Sequence, residues 1–418
     1  MLDIKLIRQN PELIKETARK KGINVDIDTL LAVDERRRHV LRELEEKRAK
    51  QNTLSRGGPK APTELESLRK LKEEIKVLEE EIRHVQKEFN DLMLLVPQVP
   101  DPSVPEGKGD ADNVEIRKGG KIPKFDFPAS DYMTLMQQLD LADLERGSKV
   151  SGFRGYFLKN EAVLLSMALW NFAMEILIKK GFEPLITPAI AREFNFIGTG
   201  WLPQGKDEVY KIGEDEFLIG TSEVSVMGYH ANEILNEKDL PKKYVAFSPC
   251  FRSEAGSYGK DTKGIFRVHE FYKVEQVILC KADHEESVKW HEEITRNAEE
   301  IVQALKLPYR VVANCAGDLG LGQVKKYDIE IWLPSQKRYR ETHSASYFHD
   351  FQTRRLNIKY RDASGKLQYA HSLNSTVIPT PRPIAGIIEN YQTKKGTVKV
   401  PKVLQKYMFG IKEIKPKK

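Results

Sequence analysis

The stretch Pro249 to Gln276, PCFRSEAGSYGKDTKGIFRVHEFYKVEQ, sets arginines, carboxylates and an aromatic ring at spacings suited to nucleotide chemistry. Two strand-like segments flank a loop rich in Gly, Ser, Asp and Lys. Arg252 and Glu254 stand at the end of the first segment, and Arg267, Phe271 and Glu275 recur at spacing four on the second. Even spacing on a strand directs side chains to one face, so an aromatic plane, a guanidinium and a carboxylate are expected in a common site. A nucleotide pocket needs those three: a π-face for a base, a guanidinium fork for phosphate and a carboxylate for an amine. A half-buried strand pair with surface charges would not put charged residues on the face that carries Phe271.

Such residues need a scaffold. From residue 126 to 418, long helices alternate with β-rich runs such as KYVAFSPCFR, FYKVEQVILC, YRVVAN and YDIEIWLP. Strands follow one another before the next helix, which predicts an α+β domain with an antiparallel sheet flanked by helices. Upstream, residues 99–125 lie in a Pro-, Gly- and Asp-rich stretch that reads as a linker. Residues 1–98 read as a separate helical unit. After a short lead-in, Leu30, Val33, Arg37, Val40, Leu44 and Lys47 follow a 3-4 spacing that is only partly apolar. Beyond the break RGGPKAP (Arg56 to Pro62) a second helix is expected from Thr63, with Glu66 completing a capping box. There Leu68, Leu71, Ile75, Leu78, Ile82, Val85, Phe89 and Leu92 repeat 3-4 without error, a coiled-coil seam of about four heptads. Two arms, about 28–55 and 63–95, make an antiparallel hairpin whose second arm is on the order of 50 Å long. Such a seam usually means dimerisation or a spacer. Yet Arg36, Arg37, Arg38, Arg42, Lys47, Arg48 and Lys50 crowd the first arm as a phosphate-tracking surface would, among acidic neighbours.

Composition narrows the classes. The chain has 418 residues, 40% hydrophobic and 31% charged, which suits a large core plus a long solvated helical section. A formal net charge of +7 permits a polyanionic partner without requiring one. Cys250, Cys280 and Cys315 lie tens of residues apart and read as reduced thiols, with neither zinc nor disulfide spacing. The N-terminus is charged from its third residue, and the apolar stretch Ala162 to Ile178 is broken by Ser166, Asn171 and Glu175. It reads as a buried helix and not a membrane span, so a soluble, cytoplasmic protein with no membrane partner is expected.

The Pro249–Gln276 stretch closely resembles motif 2 of class II aminoacyl-tRNA synthetases, in the version of the seryl-tRNA synthetase family. The resemblance runs over nearly the whole chain: the opening MLDIKLIRQNPELIKE, the hairpin, DNVEIRKGG, a motif 1-like GFEPLITPAI (Gly181 to Ile190) and GTGWLP. It continues through TSEV at Thr221, YDIEIWLPSQKRYRETHSASYFHDFQTRR and a motif 3-like PRPIAGIIENYQ. What it implies is a class II catalytic domain behind a coiled-coil arm. Such a protein activates L-serine with ATP to seryl-adenylate and passes the seryl group to the 3′ end of tRNA(Ser). The family also implies charging of the selenocysteine transfer RNA where one exists. Arg252 would hold the α-phosphate, Arg382 the γ-phosphate, and Glu341 with Ser344 a Mg2+ ion; Arg252, Arg382 and Glu341 form the catalytic set. Phe271 would stack on adenine, Glu254 read its amine and Arg267 contact the phosphates, with Ser253, Val268, Thr342 and His343 completing the ATP site. Thr221, Ser222, Glu223, Glu275, Asn374 and Thr376 would bind serine together with Arg252. Pro188 would lie at a homodimer interface through the motif 1 region. The arm would embrace the long variable arm of the RNA through Arg36, Arg37, Arg38, Arg42 and Arg48, and no DNA partner is implied.

Some positions depart from that pattern. Where many members read SSCSN after the metal glutamate, this chain reads His343-Ser344-Ala345-Ser346-Tyr347. Where many bacterial members read NGSG, it reads Asn374-Ser375-Thr376-Val377, with the hydroxyl kept by Thr376. GDLGLG at Gly317 matches a dinucleotide fingerprint only weakly and reads as a turn. His269 reads as a packed or hydrogen-bonded histidine, and Tyr258 as either an RNA contact or an ordinary loop aromatic. Three rivals stand beside the main reading: a paralogue that activates a small amino acid for a carrier protein, a catalytically silent tRNA-binding paralogue, and a structural coiled-coil protein.

Overall fold

The computed structural model describes all residues except 57–60, 257, 258, 260 and 418. Gly57 to Lys60 of the expected hairpin turn, and Tyr258, therefore lie outside the described residues. The chain divides into two compact units, Met1–Pro97 and Gln98–Lys418.

In the first unit, α1 (Ile4–Gln9) and α2 (Pro11–Lys21) lead into α3 (Ile27–Ser55) and α4 (Pro62–Met93). Gly22, with φ +65°, ends α2 in the left-handed conformation that closes a helix without strain. Asp26 starts α3 by accepting the Thr29 N–H at 2.9 Å. The seam of α4 buries Leu71, Ile75, Leu78, Val85, Phe89 and Met93, against Val40 and Leu44 of α3 in its middle part. Two expectations change. The helix starts at Pro62, one residue before Thr63, and its cap uses Glu64, whose carboxylate accepts the Ala61 N–H at 3.0 Å. Proline suits the first helical position because its missing N–H has no partner there anyway. Also, Met93 and not Leu92 closes the buried face, since a straight helix drifts from a strict heptad.

The second unit is built on one eight-stranded sheet. Its strands are β1 (Val114–Gly119), β2 (Glu183–Ile186), β3 (Lys242–Phe251), β4 (Glu270–Cys280), β5 (Tyr309–Ala313), β6 (Lys325–Leu333), β7 (Arg338–His349) and β8 (His371–Thr380). Their spatial order is β1-β5-β6-β7-β8-β4-β3-β2. All neighbours are antiparallel except β2 and β3. This is the expected α+β arrangement, with one difference: β1 comes from the stretch read as a linker. Its Val114 and Ile116 stay 47% and 40% exposed at the sheet edge, so they leave no alternating burial signal.

Helices α5 (Glu161–Lys179), α6 (Ser222–Tyr229), α7 (His284–Ala304) and α8 (Arg382–Asn390) pack around the sheet. Even-numbered residues of β4 meet α5 and α7: Tyr272 lies 5.2 Å from the Trp170 ring, and Gln276 donates to the Ile294 carbonyl at 3.0 Å. α5 is the one described helix long and apolar enough to cross a membrane; here Leu165, Leu169, Ala173 and Leu177 lie in the main core. With the even side of β4 sealed by helices, the odd side is left to form a site.

Candidate active site

Phe271, Lys273 and Glu275 project in order from the odd face of β4 and line two adjoining cavities. The first is bounded by Arg252, Glu254, Phe266, Arg267, Val268, Phe271, Glu341, Thr342, Ser344 and Arg382. The second is bounded by Thr221, Glu223, Glu275, Asn374, Thr376, Trp201 and the Gly320–Gln323 turn. Arg252, Lys273, Ser344 and Thr376 line both. The first cavity opens because the β7–β8 ladder runs only from Ala345↔Ser375 toward His349. Toward Glu341 and Pro379 the two strands are unpaired. Two β-bulges sit at this opening, with Thr342 extra on β7 and Val377 extra on β8. Bulges re-aim side chains next to active sites. Here Thr342 and Ser344 face the cavity, whereas His343 is 2% exposed, bonded through Nδ1 to the Thr342 hydroxyl at 2.7 Å, and lines neither cavity. His343, expected in the nucleotide site, thus has its side chain packed beside the cavity and not in it.

The guanidinium groups converge as expected, through contacts that differ in detail. Arg252 follows β3, donates from Nε to the Gly220 carbonyl at 3.2 Å, and lies 5.3 Å from the Trp201 ring and 5.5 Å from Phe271. Arg382, the first residue of α8, donates to the Phe266 carbonyl at 2.8 Å and to the Glu341 carbonyl at 3.3 Å. The Phe266 ring carries Arg382 at 5.3 Å and Arg340 at 4.2 Å. Arg340 in turn binds Asp261 of the preceding loop at 2.5 Å. Arg267 is not on the strand, which begins at Glu270. It reaches the first cavity from the loop, where it pairs with Glu254 at 2.5 Å. Glu254 holds a left-handed backbone at φ +57°, with Arg154 3.8 Å away as a second cationic neighbour. Strain of that kind persists where surrounding contacts over-determine it. Ser253 bonds to the Asp207 carbonyl and lines neither cavity.

The second cavity is organised around Glu275, which is 1% exposed. Its Oε2 accepts from the hydroxyls of Thr221 at 2.5 Å and Ser222 at 2.7 Å and from the Glu223 N–H at 3.2 Å. Its Oε1 accepts from the Lys273 ammonium at 2.8 Å. Burial raises this carboxyl, but the charge of Lys273 and those donors outweigh it and hold Glu275 below the usual range. Ser222 thus supports the cavity from behind. Thr376 stands opposite Glu275 in the β4–β8 register. Glu223 behaves in the opposite way: burial, then the neighbouring charge of Glu275, pushes it up to about 7. Gln352 donates to it at 2.7 Å.

Glu341 and Ser344 both open into the first cavity, and both are hard oxygen donors of the kind Mg2+ takes. Burial raises Glu341, but Arg382 and Lys326 outweigh it and keep its carboxyl low and ionised. Among the described residues no three His, Cys, Asp or Glu side chains gather around one point. A bound Mg2+ would therefore need further oxygens from phosphate and water. Behind Glu341, the 5%-exposed Asp328 is pushed up by burial and by Glu341, with Lys326 opposing at 3.1 Å.

Residues with no role in the sequence reading also enter the site: Lys273, Trp201, Phe266 and the GDLGLG turn. Lys273 shares the parity of Phe271 and Glu275, which is the signal that marks it. His269 is hydrogen-bonded, with Nδ1 2.6 Å from the Tyr210 hydroxyl.

In the N-terminal unit most of the clustered arginines hold carboxylates. Arg36 pairs with Glu81 at 2.8 Å, Arg48 with Glu79 at 2.7 Å, and Arg38 with Asp34 at 3.1 Å. Among the described residues, Arg42 bonds only to the Arg38 carbonyl, at 3.4 Å. Arg37 lies 4.3 Å over the Phe89 ring and pairs with Asp34 at 3.0 Å, so it serves the seam more than an outer surface.

Comparison with known proteins bears on both units. Residues 1–100 match the family model of the seryl-tRNA synthetase N-terminal domain. Residues 209–391 match that of the tRNA synthetase class II core domain (G, H, P, S and T). A serine--tRNA ligase of Deinococcus radiodurans is 44% identical over 98% of both chains. One of Pyrococcus abyssi is 46% identical over 100% of this chain and 98% of its own. The seryl-tRNA synthetase of Pyrococcus horikoshii, solved in complex with ATP, superposes with a TM-score of 0.93 at 43% identity, covering 100% of both chains. A cytoplasmic serine-tRNA ligase of Naegleria fowleri with AMP gives 0.89 at 36% identity, covering 100% of this chain and 99% of that one.

Proposed function

The chain belongs to the seryl-tRNA synthetase family, and from that premise we propose how its two cavities share the work of a serine–tRNA ligase. The enzyme activates L-serine with ATP and transfers the seryl group to transfer RNA. The observation that carries the division of labour is the shared wall: Arg252, Lys273, Ser344 and Thr376 line both cavities. A nucleotide in one and an amino acid in the other would meet there.

ATP occupies the first cavity, with adenine against Phe271, the α-phosphate on Arg252, and the outer phosphates toward Arg382 and Arg267. In the present structure Arg252 lies 5.5 Å from Phe271, so adenine binding requires that guanidinium to shift toward the phosphate. Glu254, Val268 and Thr342 complete the base and phosphate contacts. Glu341 and Ser344 would hold Mg2+, which would neutralise phosphate charge when bound. Serine occupies the second cavity, with its ammonium on Thr221 and Glu223 and its hydroxyl between Glu275 and Thr376, near Asn374. Alanine would leave the Thr376 hydroxyl and the remaining acceptor site on Glu275 Oε1 without a substrate partner, and sites built to bond a substrate hydroxyl reject the analogue lacking it by on the order of 10⁴-fold.

The serine carboxylate is already an anion and attacks the α-phosphorus in line, so no protein base is needed for this step. The arginines orient two like-charged reactants and stabilise charge growing on the phosphates. Pyrophosphate leaves, and the terminal ribose hydroxyl of the RNA then takes the seryl group from the adenylate.

The hairpin binds the RNA by shape and backbone, as A-form RNA requires. Exposed pairs such as Arg36–Glu81 and Arg48–Glu79 contribute on the order of 0–1 kcal/mol each, so a phosphate backbone can recruit those arginines, with Arg38 and Arg42. The active form is a soluble, cytoplasmic homodimer joined through the motif 1 region. That region leaves Ile186 84% and Ile190 50% exposed, and Phe194 just beyond it 49%, an apolar edge that a second copy would cover.

Serine-dependent ATP–pyrophosphate exchange, followed by charging of tRNA(Ser) with and without residues 28–95, tests this reading. Exchange that survives deletion while charging collapses is the expected result. Absence of serine-dependent exchange in the intact chain would overturn it and favour a silent or carrier-directed paralogue.

A further inference from the structure

We propose that Lys273 is a further catalytic residue of the activation step, donating a hydrogen bond to the oxygens where the serine carboxylate meets the α-phosphorus. The inference rests on the two-cavity reading above and deepens it. Lys273 lies two residues from Phe271 and two from Glu275 on one strand face. Successive same-face positions are about 7 Å apart along a strand. The base shelf and the amino-acid anchor thus flank it, and the bond between nucleotide and amino acid forms in the interval that Lys273 spans. Consistently, Lys273 lines both cavities although only 5% of its side chain is exposed.

An ammonium group has three N–H donors. One of them goes to Glu275 Oε1 at 2.8 Å and a second to the Thr221 hydroxyl at 2.7 Å. Those two bonds fix the tetrahedral head, and the third N–H remains for a substrate oxygen. A role as counter-ion alone explains the arrangement poorly. Lys273 is the strongest charge acting on Glu275, yet that pairing takes only one of its three N–H donors, and Glu275 also receives the Thr221 and Ser222 hydroxyls and the Glu223 N–H. Burying an additional ammonium costs several kcal/mol in desolvation, so its retention at this wall is better accounted for by the anionic reactants.

In the step itself, a serine carboxylate oxygen bonds to the α-phosphorus as the bond from that phosphorus to the bridging oxygen of pyrophosphate breaks. Pyrophosphate carries away the electron pair. The lysine proton stays on nitrogen throughout, and its charge opposes the build-up on the pentavalent phosphorus.

The test is serine-dependent pyrophosphate exchange by K273Q and K273R in the full-length enzyme, with kcat and both KM values, after calorimetry confirms folding. Loss of one such donor typically costs about 10²–10³-fold in kcat, so K273Q should lose at least about 100-fold while the ATP KM moves less than about threefold. K273R keeps a cation beside Glu275 and serves as the second variant should K273Q fail to fold. Its differently shaped head should cut kcat by about tenfold or more with serine KM near wild type. A kcat within about threefold of wild type in either folded variant, or a loss expressed only in serine KM, would overturn the proposal. A wild-type enzyme without exchange would instead remove the two-cavity reading, so the two failures are distinguishable.

Discussion

Replacing Glu223 by glutamine should stabilise the protein at alkaline pH while weakening its hold on serine. The Glu223 side chain is buried at 6% exposure, and burial followed by the charge of Glu275 pushes its carboxyl from 4.5 up to about 7. Because the folded value lies above the unfolded one, the folded chain holds this proton more tightly. That contribution to stability is complete below pH 4.5 and is lost as pH rises through about 7. At about 1.36 kcal/mol per pH unit, ionising Glu223 is on the order of 3 kcal/mol harder in the fold than in the unfolded chain. Glutamine carries no charge and can still meet Gln352. Near pH 8 the substrate-free variant should therefore be more stable by up to about 3 kcal/mol, several degrees in Tm for a unit of this size. At pH 5 the difference should shrink to under about 1 kcal/mol. Serine binding should show the opposite cost. In the proposed placement the serine ammonium pairs with an ionised Glu223, so the wild-type serine KM should fall between pH 6 and 8. In E223Q it should be about 10–100-fold higher and flat with pH, as expected for loss of a charge-assisted hydrogen bond. Calorimetry at the two pH values and exchange kinetics across the range provide the assay. An identical Tm difference at pH 5 and 8, or a serine KM in E223Q that still falls with pH, would rule out a Glu223 that is neutral in the free enzyme and ionised against serine.

Asp34 is fully buried and receives Arg8 at 3.2 Å, Arg37 at 3.0 Å and Arg38 at 3.1 Å. Asp34→Ala should destabilise the N-terminal unit by roughly 3–5 kcal/mol. Hydrogen exchange would then rise within residues 1–97 while serine-dependent exchange activity stays intact; unchanged protection there would contradict this. Glu341→Gln removes the charge of the proposed Mg2+ ligand, so the Mg2+ concentration for half-maximal exchange should rise by about tenfold or more. An unaltered Mg2+ titration would reassign Glu341. Ile186→Asp places a charge on the exposed apolar edge and should shift the protein toward monomer in sedimentation velocity. A persistent dimer would locate the interface elsewhere.

Much of the site was legible in sequence because its residues are charged and share a strand parity, which is how Phe271 and Glu275 were paired. The same rule marks Lys273, yet a lysine within a strand reads as a surface residue until its partners are known. Arg267 misled in the other direction: four residues before Phe271 it obeys the parity, but the strand begins only at Glu270. His343 escaped because the extra residue Thr342 turns the chain, and bulges leave no trace in a spacing rule. β1 was hidden by the Pro- and Gly-rich residues around it and by its exposed edge position. The coiled-coil seam, repeated over many turns, was legible almost residue by residue. The identity of its gap-filling cation, Arg37 against Phe89, depends on the facing helix and could not be read from either helix alone.

The most direct test of the account is the structure of the enzyme with a non-hydrolysable seryl-adenylate analogue, in which a sulfamoyl group replaces the acyl phosphate. Adenine is expected against Phe271, the seryl hydroxyl between Glu275 and Thr376, and the sulfamoyl group facing Arg252 and Lys273. An analogue with its base away from Phe271, or with its seryl group outside the Glu275 cavity, would contradict the shared wall on which the mechanism depends.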